Sequence, residues 1–444
     1  MKFTTIVCLD DLTRHSYWPA KEFVYDLIRT PIYHTSGIDI SKSPRNGQRN
    51  NLLPGFDHSR FLQLCGPNAT QGHWVSFHLG LPKAANEYLA MHIPDGALII
   101  GYEMPPWLRS LLELTGHTWI DLRISPLRFA SDLYIAIGTN SPLLHSRIYP
   151  RSVSMDEVLS EASLMAAQVR YHQRYDDRPR SYDGAWIYIG QTEADTSLVT
   201  AASKFARVQD YATILQSATA DIPMLYKPHP GAGDFARKEF SALRDLISRP
   251  IALCETDTYE MLAGERPLGL IGLSSGVLQE AKWFGKSSLS LLAPVCQISF
   301  ENEWRSGYFA QVSSHEFLSE PLWSNILGQD EPRARPLVHP PRANRLRELH
   351  DAWWGYAPHA ARHNELLRHA VALHTPRQTT IKTTDTSTND ILISNLQSEI
   401  RHTQEKVATL VQEMDGLKDA LRLVMRQTIS RKDGSVSSEM PIEV

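Results

Sequence analysis

Three polar segments carry the residue types that could do chemistry, and each follows a short apolar run. Gly190-Gln-Thr-Glu-Ala-Asp-Thr-Ser197 places the amide of Gln191 and the carboxylates of Glu193 and Asp195 side by side. A positioned carboxylate can act as a nucleophile or as a proton acceptor, although a solvated acidic loop has the same composition. Lys227-Pro-His-Pro230 holds His229 between two prolines, which stiffen the backbone and restrict the residue before each of them. The same tetrapeptide could be a rigid turn with an incidental histidine. Leu273-Ser-Ser-Gly-Val-Leu-Gln-Glu280 runs from an apolar strand through Ser274, Ser275 and Gly276 into a helical stretch. Hydroxyls and unpaired N–H groups at a helix start suit an anion, and a serine N-cap has the same sequence.

The first half of the chain supplies two more segments. Gly101-Tyr-Glu-Met-Pro105 contains Glu103, and Ile120-Asp-Leu-Arg-Ile-Ser-Pro-Leu-Arg-Phe129 contains Asp121, Arg123 and Arg128. An acid at or near a strand needs a partner or a cleft. Arg123 and Arg128 could therefore form structural ion pairs with Glu103 and Asp121. The other reading places these groups across a cleft from the three loops, with Arg128 or Lys282 facing a substrate carboxylate.

Other chemistries lack their signatures. Eighteen histidines include no HExxH, HxH or Cys/His cluster. His359 and His363 lie four apart on a predicted helix without a third ligand, so no metal is expected. Neither GxGxxG nor GxxxxGK[ST] occurs. Gly272-Leu-Ser-Ser-Gly276 does match the GxSxG nucleophile elbow, which leaves a serine hydrolase as a competing class. Asn68-Ala-Thr70 matches a glycosylation sequon, read here as chance.

These loops need elements to hold them. The spacing predicts strands at 97–101, 118–124, 132–137, 185–189, 223–226, 251–254, 268–273 and 288–292. It predicts helices near 105–113, 155–175, 205–217 and 235–248, and one beginning near Ser275. Strands alternating with helices argue for parallel sheets covered on both faces. At such strand ends open α/β sheets bind ligands, so the three loops should meet in one crevice.

Composition bounds the whole. The chain has 444 residues, 45 basic against 49 acidic side chains for a net charge of −4, and 42% hydrophobic residues. That balance disfavours a nucleic-acid binder, and the apolar content supports sizeable cores. Four widely spaced cysteines form no CxxC pair, which fits a reducing compartment. No apolar run reaches membrane-helix length, and Asp10 and Asp11 interrupt the start too early for a signal peptide. Residues 345–369 read as a helix returning across the earlier elements. Residues 371–390 are a threonine-rich linker. Beyond it, Ile393, Ile400, Val407, Met414 and Leu421 share one heptad position, and Leu396, Thr403, Leu410, Leu417 and Val424 share another. The 3-4 repeat predicts a coiled coil over 391–428, with Glu413 and Lys418 able to pair between helices. Thr403 and Gly416 are blemishes in it, and residues 429–444 are a tail.

Taken in order, GYE-P-P, WIDLRISPLRF, IYIGQTEADTS, LYKPHP and IGLSSGVLQEA resemble the bacterial capsule-polysaccharide biosynthesis family over residues 95–290. That family includes Kdo transferases of capsule lipid anchors and chain-terminating β-Kdo transferases of O-antigen assembly. The resemblance implies a GT-B architecture: an acceptor-side Rossmann-like domain at 1–180 and a CMP-sugar-binding one at 181–370, facing a central cleft. It implies a retaining transfer of Kdo (3-deoxy-octulosonate) from CMP-β-Kdo to a surface glycan, without cofactor or metal. Carried onto this sequence, Asp195 is the nucleophile that forms a glycosyl-enzyme adduct. Gln191 and Glu193 orient it, and Asp121 and Glu103 are candidates for the acid–base partner. Lys227, His229, Pro230, Ser274, Ser275, Gly276 and Arg128 would bind the donor. The implied partners are a nucleotide sugar and a lipid-linked glycan acceptor, with homo-oligomerisation through the coiled coil. The implied location is cytoplasmic, at the inner face of the inner membrane. Two alternatives stand beside this: an inverting transferase for another CMP-sugar with Asp195 as general base, and a non-catalytic coiled-coil scaffold.

Overall fold

The computed structural model describes residues 3–329 apart from 10, 15–17, 41–52, 54, 71, 174–181, 220, 221 and 267, and also 346, 347 and 350. The linker, the coiled coil, the tail, His359 and His363 lie outside the described residues. Two sheets lie within one compact unit.

The second sheet carries the three polar loops. It is built from β5 (Trp186–Ile189), β6 (Met224–Lys227), β7 (Ile251–Leu253), β8 (Gly269–Gly272) and β9 (Ser287–Ser290). All neighbours pair in parallel, in the order β7-β6-β5-β8-β9. Its first strand in sequence, β5, is central, and the order reverses between β5 and β8. Loops leaving β5 and β8 therefore diverge to opposite faces and open a crevice at the carboxyl edge. The strands are short, apolar and buried on both faces at the centre, as a parallel sheet requires.

The first sheet departs from the all-parallel expectation. β1 (Ile6–Cys8), β2 (Leu98–Tyr102) and β3 (Thr118–Ile124) are parallel. β4 (Ile135–Thr139) then runs antiparallel to β3, and β11 (Tyr308–Val312) antiparallel to β4. A two-residue β10 (Gln297–Ile298) closes the edge beside β11. Only ten residues, Ser125 to Tyr134, separate β3 from β4, too few for a parallel crossover with a helix.

The expected boundary near residue 180 does not follow the packing. Helix Met155–Gln173 was expected to close the first half. Its Val158, Ala162 and Met165 instead sit in one cluster with Ile187 and Leu270 of the second sheet, and Leu127, Phe129 and Tyr134 from the β3–β4 connection join them. In the opposite direction, helix Glu320–Leu327 and β11 return to the first sheet. There Leu322, Trp323 and Ile326 pack with Ile28, Leu98, Ile120 and Ile137, and so does Leu346 from the predicted return segment.

The helix expected over 205–217 is shorter. Val199 and Phe205 form an isolated antiparallel bridge, a 3₁₀ turn spans Val208–Tyr211, and the α-helix covers Ala212–Ala218. The Arg207 N–H donates to Asp210 Oδ2 at 2.8 Å and fixes this later start. No helix among the described residues is long and apolar enough to cross a membrane.

Candidate active site

The carboxyl edge of the second sheet opens into a cavity of about 460 Å³. Asp195, Gln191, Lys227, His229, Pro230, Ser274, Ser275 and Gly276 line it from the second sheet, and Glu103 and Arg128 line it from the loops after β2 and β3. Of the twelve residues to which the family resemblance gives a role, the cavity gathers all but Asp121 and Glu193, and Lys282, the alternative to Arg128, does not line it.

The loop after β5 is tied to the loop after β8. Gln191 is buried; its Oε1 accepts the Ser274 N–H at 2.8 Å, and its Nε2 donates to Ser197 Oγ at 3.2 Å and Ser274 Oγ at 3.3 Å. Ser274 Oγ in turn donates to the Ser197 carbonyl at 2.8 Å. Asp195 caps the following 3₁₀ turn, and its Oδ1 accepts the Ser197 N–H at 2.8 Å. One carboxylate oxygen is thus fixed by its own turn while the residue lines the cavity. Glu193 is exposed and lies 4.0 Å from Arg207, on the outside of the same loop. Its expected orienting role has no contact to act through.

His229 has its Nδ1 occupied by the Gly231 N–H at 3.0 Å, so a neutral ring presents Nε2–H as its donor. Burial pushes the imidazole below its ordinary pKa; the nearby Asp195 opposes this and Arg128 reinforces it. A neutral ring at pH 7 follows. The same interactions place His229, Asp195 and Arg128 within one electrostatic neighbourhood. Lys227 Nζ donates to the Thr256 carbonyl at 2.5 Å, which pins the lysine across to the loop after β7.

The serine pair splits in two. Ser274 is buried and spent on tying loops together. Ser275 is the N-cap of helix Gly276–Glu280 yet makes no side-chain cap bond, so its hydroxyl is not used as a conventional cap. That helix has five residues and passes into a 3₁₀ turn, so an anion here would rely on hydroxyls and loop N–H groups more than on a helix dipole. Among the described residues no histidine bonds to Ser274, so none there supplies the base that the serine-hydrolase reading needs. Gly276 is closely approached: a Cβ there would lie 3.3 Å from the Pro126 carbonyl oxygen, at the contact between the two halves of the site.

Asp121 is fully buried and does not line the cavity. It accepts the Met104 N–H at 2.8 Å and Arg123 Nε at 2.9 Å, with Arg109 at 4.0 Å. The ion-pair reading is the one the structure favours, and Asp121 shapes the bend that follows β2. Glu103 sits in that bend with φ +52°, a left-handed conformation unusual for a residue with a Cβ. Glu103 is also shared with an adjoining smaller pocket lined by Arg14, His78 and Arg109.

Several lining residues were not foreseen. Glu280 accepts the Arg128 N–H at 2.5 Å and Tyr259 OH at 3.1 Å, which connects the first-half loop to the second sheet's helices. Arg347 donates to the Arg128 and Ala130 carbonyls at 2.8 and 2.9 Å, and with His350 it brings the return segment to the cavity wall. A buried carboxylate and an arginine at the start of a predicted packing helix were the available signals. Cys296 also lines the cavity, but burial pushes its thiol up to about 12, which keeps it protonated. Among the described residues no group of His, Cys, Asp and Glu forms a metal site.

No family model matches the sequence, and no curated protein does. Solved structures similar to the chain include two from Thermosulfurimonas dismutans KpsC. The beta Kdo 2,7 transferase is 16% identical, with a TM-score of 0.29, over 48% of this chain and 70% of that one. The beta Kdo 2,4 transferase is 14% identical, with a TM-score of 0.30, over 52% and 80%. The functional reading rests on the cavity's own residues.

Proposed function

We propose that the chain is a retaining glycosyltransferase of GT-B type that moves Kdo from CMP-β-Kdo to a hydroxyl of a bacterial surface glycan. The observation that carries this reading is the meeting, in one cavity, of Asp195, neutral His229 and Ser275 with Glu103 and Arg128. One side offers a carboxylate beside phosphate-suited donors. The other offers a second carboxylate that can take a proton.

In the first step an Asp195 oxygen attacks the anomeric carbon. The bond from that carbon to the phosphate oxygen breaks, and CMP leaves with the electron pair. His229 Nε2–H, the Ser275 hydroxyl and Lys227 stabilise the charge that develops on the phosphate. In the second step the acceptor hydroxyl attacks the same carbon, the Asp195–sugar bond breaks, and Glu103 takes the hydroxyl proton. Two displacements restore the starting configuration. Arg128 suits the donor sugar's carboxylate. The reaction draws on no metal in this scheme, and residues 391–428 would assemble copies of the enzyme at the membrane where the acceptor lies.

Mass spectrometry of the intact protein after exposure to CMP-Kdo tests the scheme. The expected result is a Kdo adduct on the peptide containing Asp195, with transfer reduced at least about a thousandfold in Asp195→Asn. Activity retained in that variant would remove Asp195 from the chemistry. An inverted product would instead give Asp195 the role of base in a transferase for another CMP-sugar.

A further inference from the structure

Beneath the Asp195 loop lies a carboxylate that the scheme above does not use. Glu239 projects from helix Asp234–Leu246 and is 4% exposed. Its Oε2 accepts the Tyr226 hydroxyl at 3.0 Å and its Oε1 accepts the Tyr188 hydroxyl at 3.2 Å. Both tyrosines are fully buried, on β6 and β5. The Gln191 backbone N–H lies near enough to favour the charged carboxylate. The approach is close: a Cβ on Gly190 would lie 2.8 Å from the Tyr226 hydroxyl oxygen and 2.9 Å from Glu239 Oε2. The loop backbone therefore rests directly on the carboxylate.

Burying a carboxylate is costly unless it is hydrogen-bonded, and an apolar residue would pack against β5 and β6 without that cost. What the carboxylate adds is a floor held by two tyrosine hydroxyls directly under Gly190, where the loop begins. From the next residue, Gln191, a set of hydrogen bonds runs upward. Gln191 holds Ser197 and Ser274, and Ser197 N–H holds Asp195 Oδ1.

We infer that Glu239 is a positioning residue for the reaction proposed above: through its close contact with the loop backbone at Gly190 it sets the height and direction of the loop that presents Asp195 and ties it to Ser274. This rests on the glycosyl-transfer reading only for its kinetic consequence. The placement of the loop stands by itself.

Glu239→Gln keeps the shape but puts an amide, with one acceptor oxygen and a donor NH2, where two oxygens accepted the two tyrosine hydroxyls beneath the loop. A misplacement of the nucleophile on the ångström scale lowers turnover without removing donor contacts made by Lys227, His229 and Ser275. The expected result with CMP-Kdo is a kcat at least about tenfold lower, with the donor KM within about threefold of the parent. Amide hydrogen exchange in the 190–197 segment should accelerate at the same time. Gly190→Ala, which pushes on the same contact from above, should give the same kinetic signature and serves if Glu239→Gln does not fold. Leu243→Ala, one turn along the same helix and buried away from the loop, matches the loss of stability without touching the acceptor.

Leu243→Ala should keep its kcat below its melting temperature. Parental kcat in Glu239→Gln, or in Gly190→Ala where the first does not fold, overturns the inference. So does an equal loss in Leu243→Ala. If the parent protein does not turn over CMP-Kdo, the transferase reading fails, and exchange decides alone: unchanged protection of residues 190–197 overturns the positioning role.

Discussion

Asp195, His229 and Gln191 were legible because each follows a short apolar strand, where polar side chains in an α/β protein have a crevice to enter. Asp121 was legible in a different sense. It stands two residues before Arg123 on β3, hence on the same face, and the ion pair at 2.9 Å was one of the two readings that the sequence left open. Glu103 was half-readable: its type was visible, and its left-handed backbone was not. Residues forced into that region store of order 1 kcal/mol or more and collect at functional sites. Asparagine tolerates the same φ without the carboxylate. Glu103→Asn should therefore match or slightly exceed the parent in stability, by about 0.5 kcal/mol at most, while transfer to the acceptor falls about a hundredfold or more. The Asp195 adduct should accumulate in this variant. Chemical denaturation and intact mass measure the two effects, and a stability loss with normal transfer would assign Glu103 to the fold alone.

At the scale of elements, the second sheet was almost wholly legible. Its central strands β5, β6 and β8 are short apolar runs flanked by glycine, proline or serine, and parallel strands buried on both faces need an apolar composition. The first sheet was legible in β2–β4 but not in β1, which no predicted strand covers. β10 and β11 fell in an unread stretch, and the partner of β11 lies about 170 residues upstream, a pairing that no local pattern encodes. The same holds for Trp323, fully buried against helix Trp18–Ser36 and the inner face of β2–β4. Trp323→Ala should cost about 3–5 kcal/mol, as much as a lesion in the first half itself. A fragment ending at residue 180 would leave the β4 edge unpaired and expose the apolar face that Leu322, Trp323 and Ile326 cover. It should be proteolysed rapidly and lack a cooperative melt. A cooperative melt from that fragment would restore the boundary near 180 that composition suggested.

For the whole molecule, net charge and apolar content correctly left room for large cores, but not for how the halves share them. The β3–β4 connection lies in the second sheet's cluster, and the closing helix lies in the first sheet's cluster. The cavity between the two sets of loops therefore depends on a single cooperative unit. Its acid sensitivity should be visible at His78, which is 8% exposed and lines the smaller pocket beside Glu103. Burial lowers its pKa to about 4; Asp11 opposes the shift, and Arg123, Arg109 and Arg14 add to it. An unfolded histidine titrates near 6.5, so between those values the unfolded chain binds a proton that the folded chain refuses. Stability from this group is present above about pH 6.5 and is lost as pH falls toward 4. Between pH 7.5 and 5 the loss should be about 2 kcal/mol from His78 alone, read as a fall in the urea midpoint. His145, also lowered by burial, acts in the same direction. His78→Gln should flatten that slope by about the same 2 kcal/mol whatever its effect at pH 7.5, and an unchanged slope would mean that the ring is protonated within the fold.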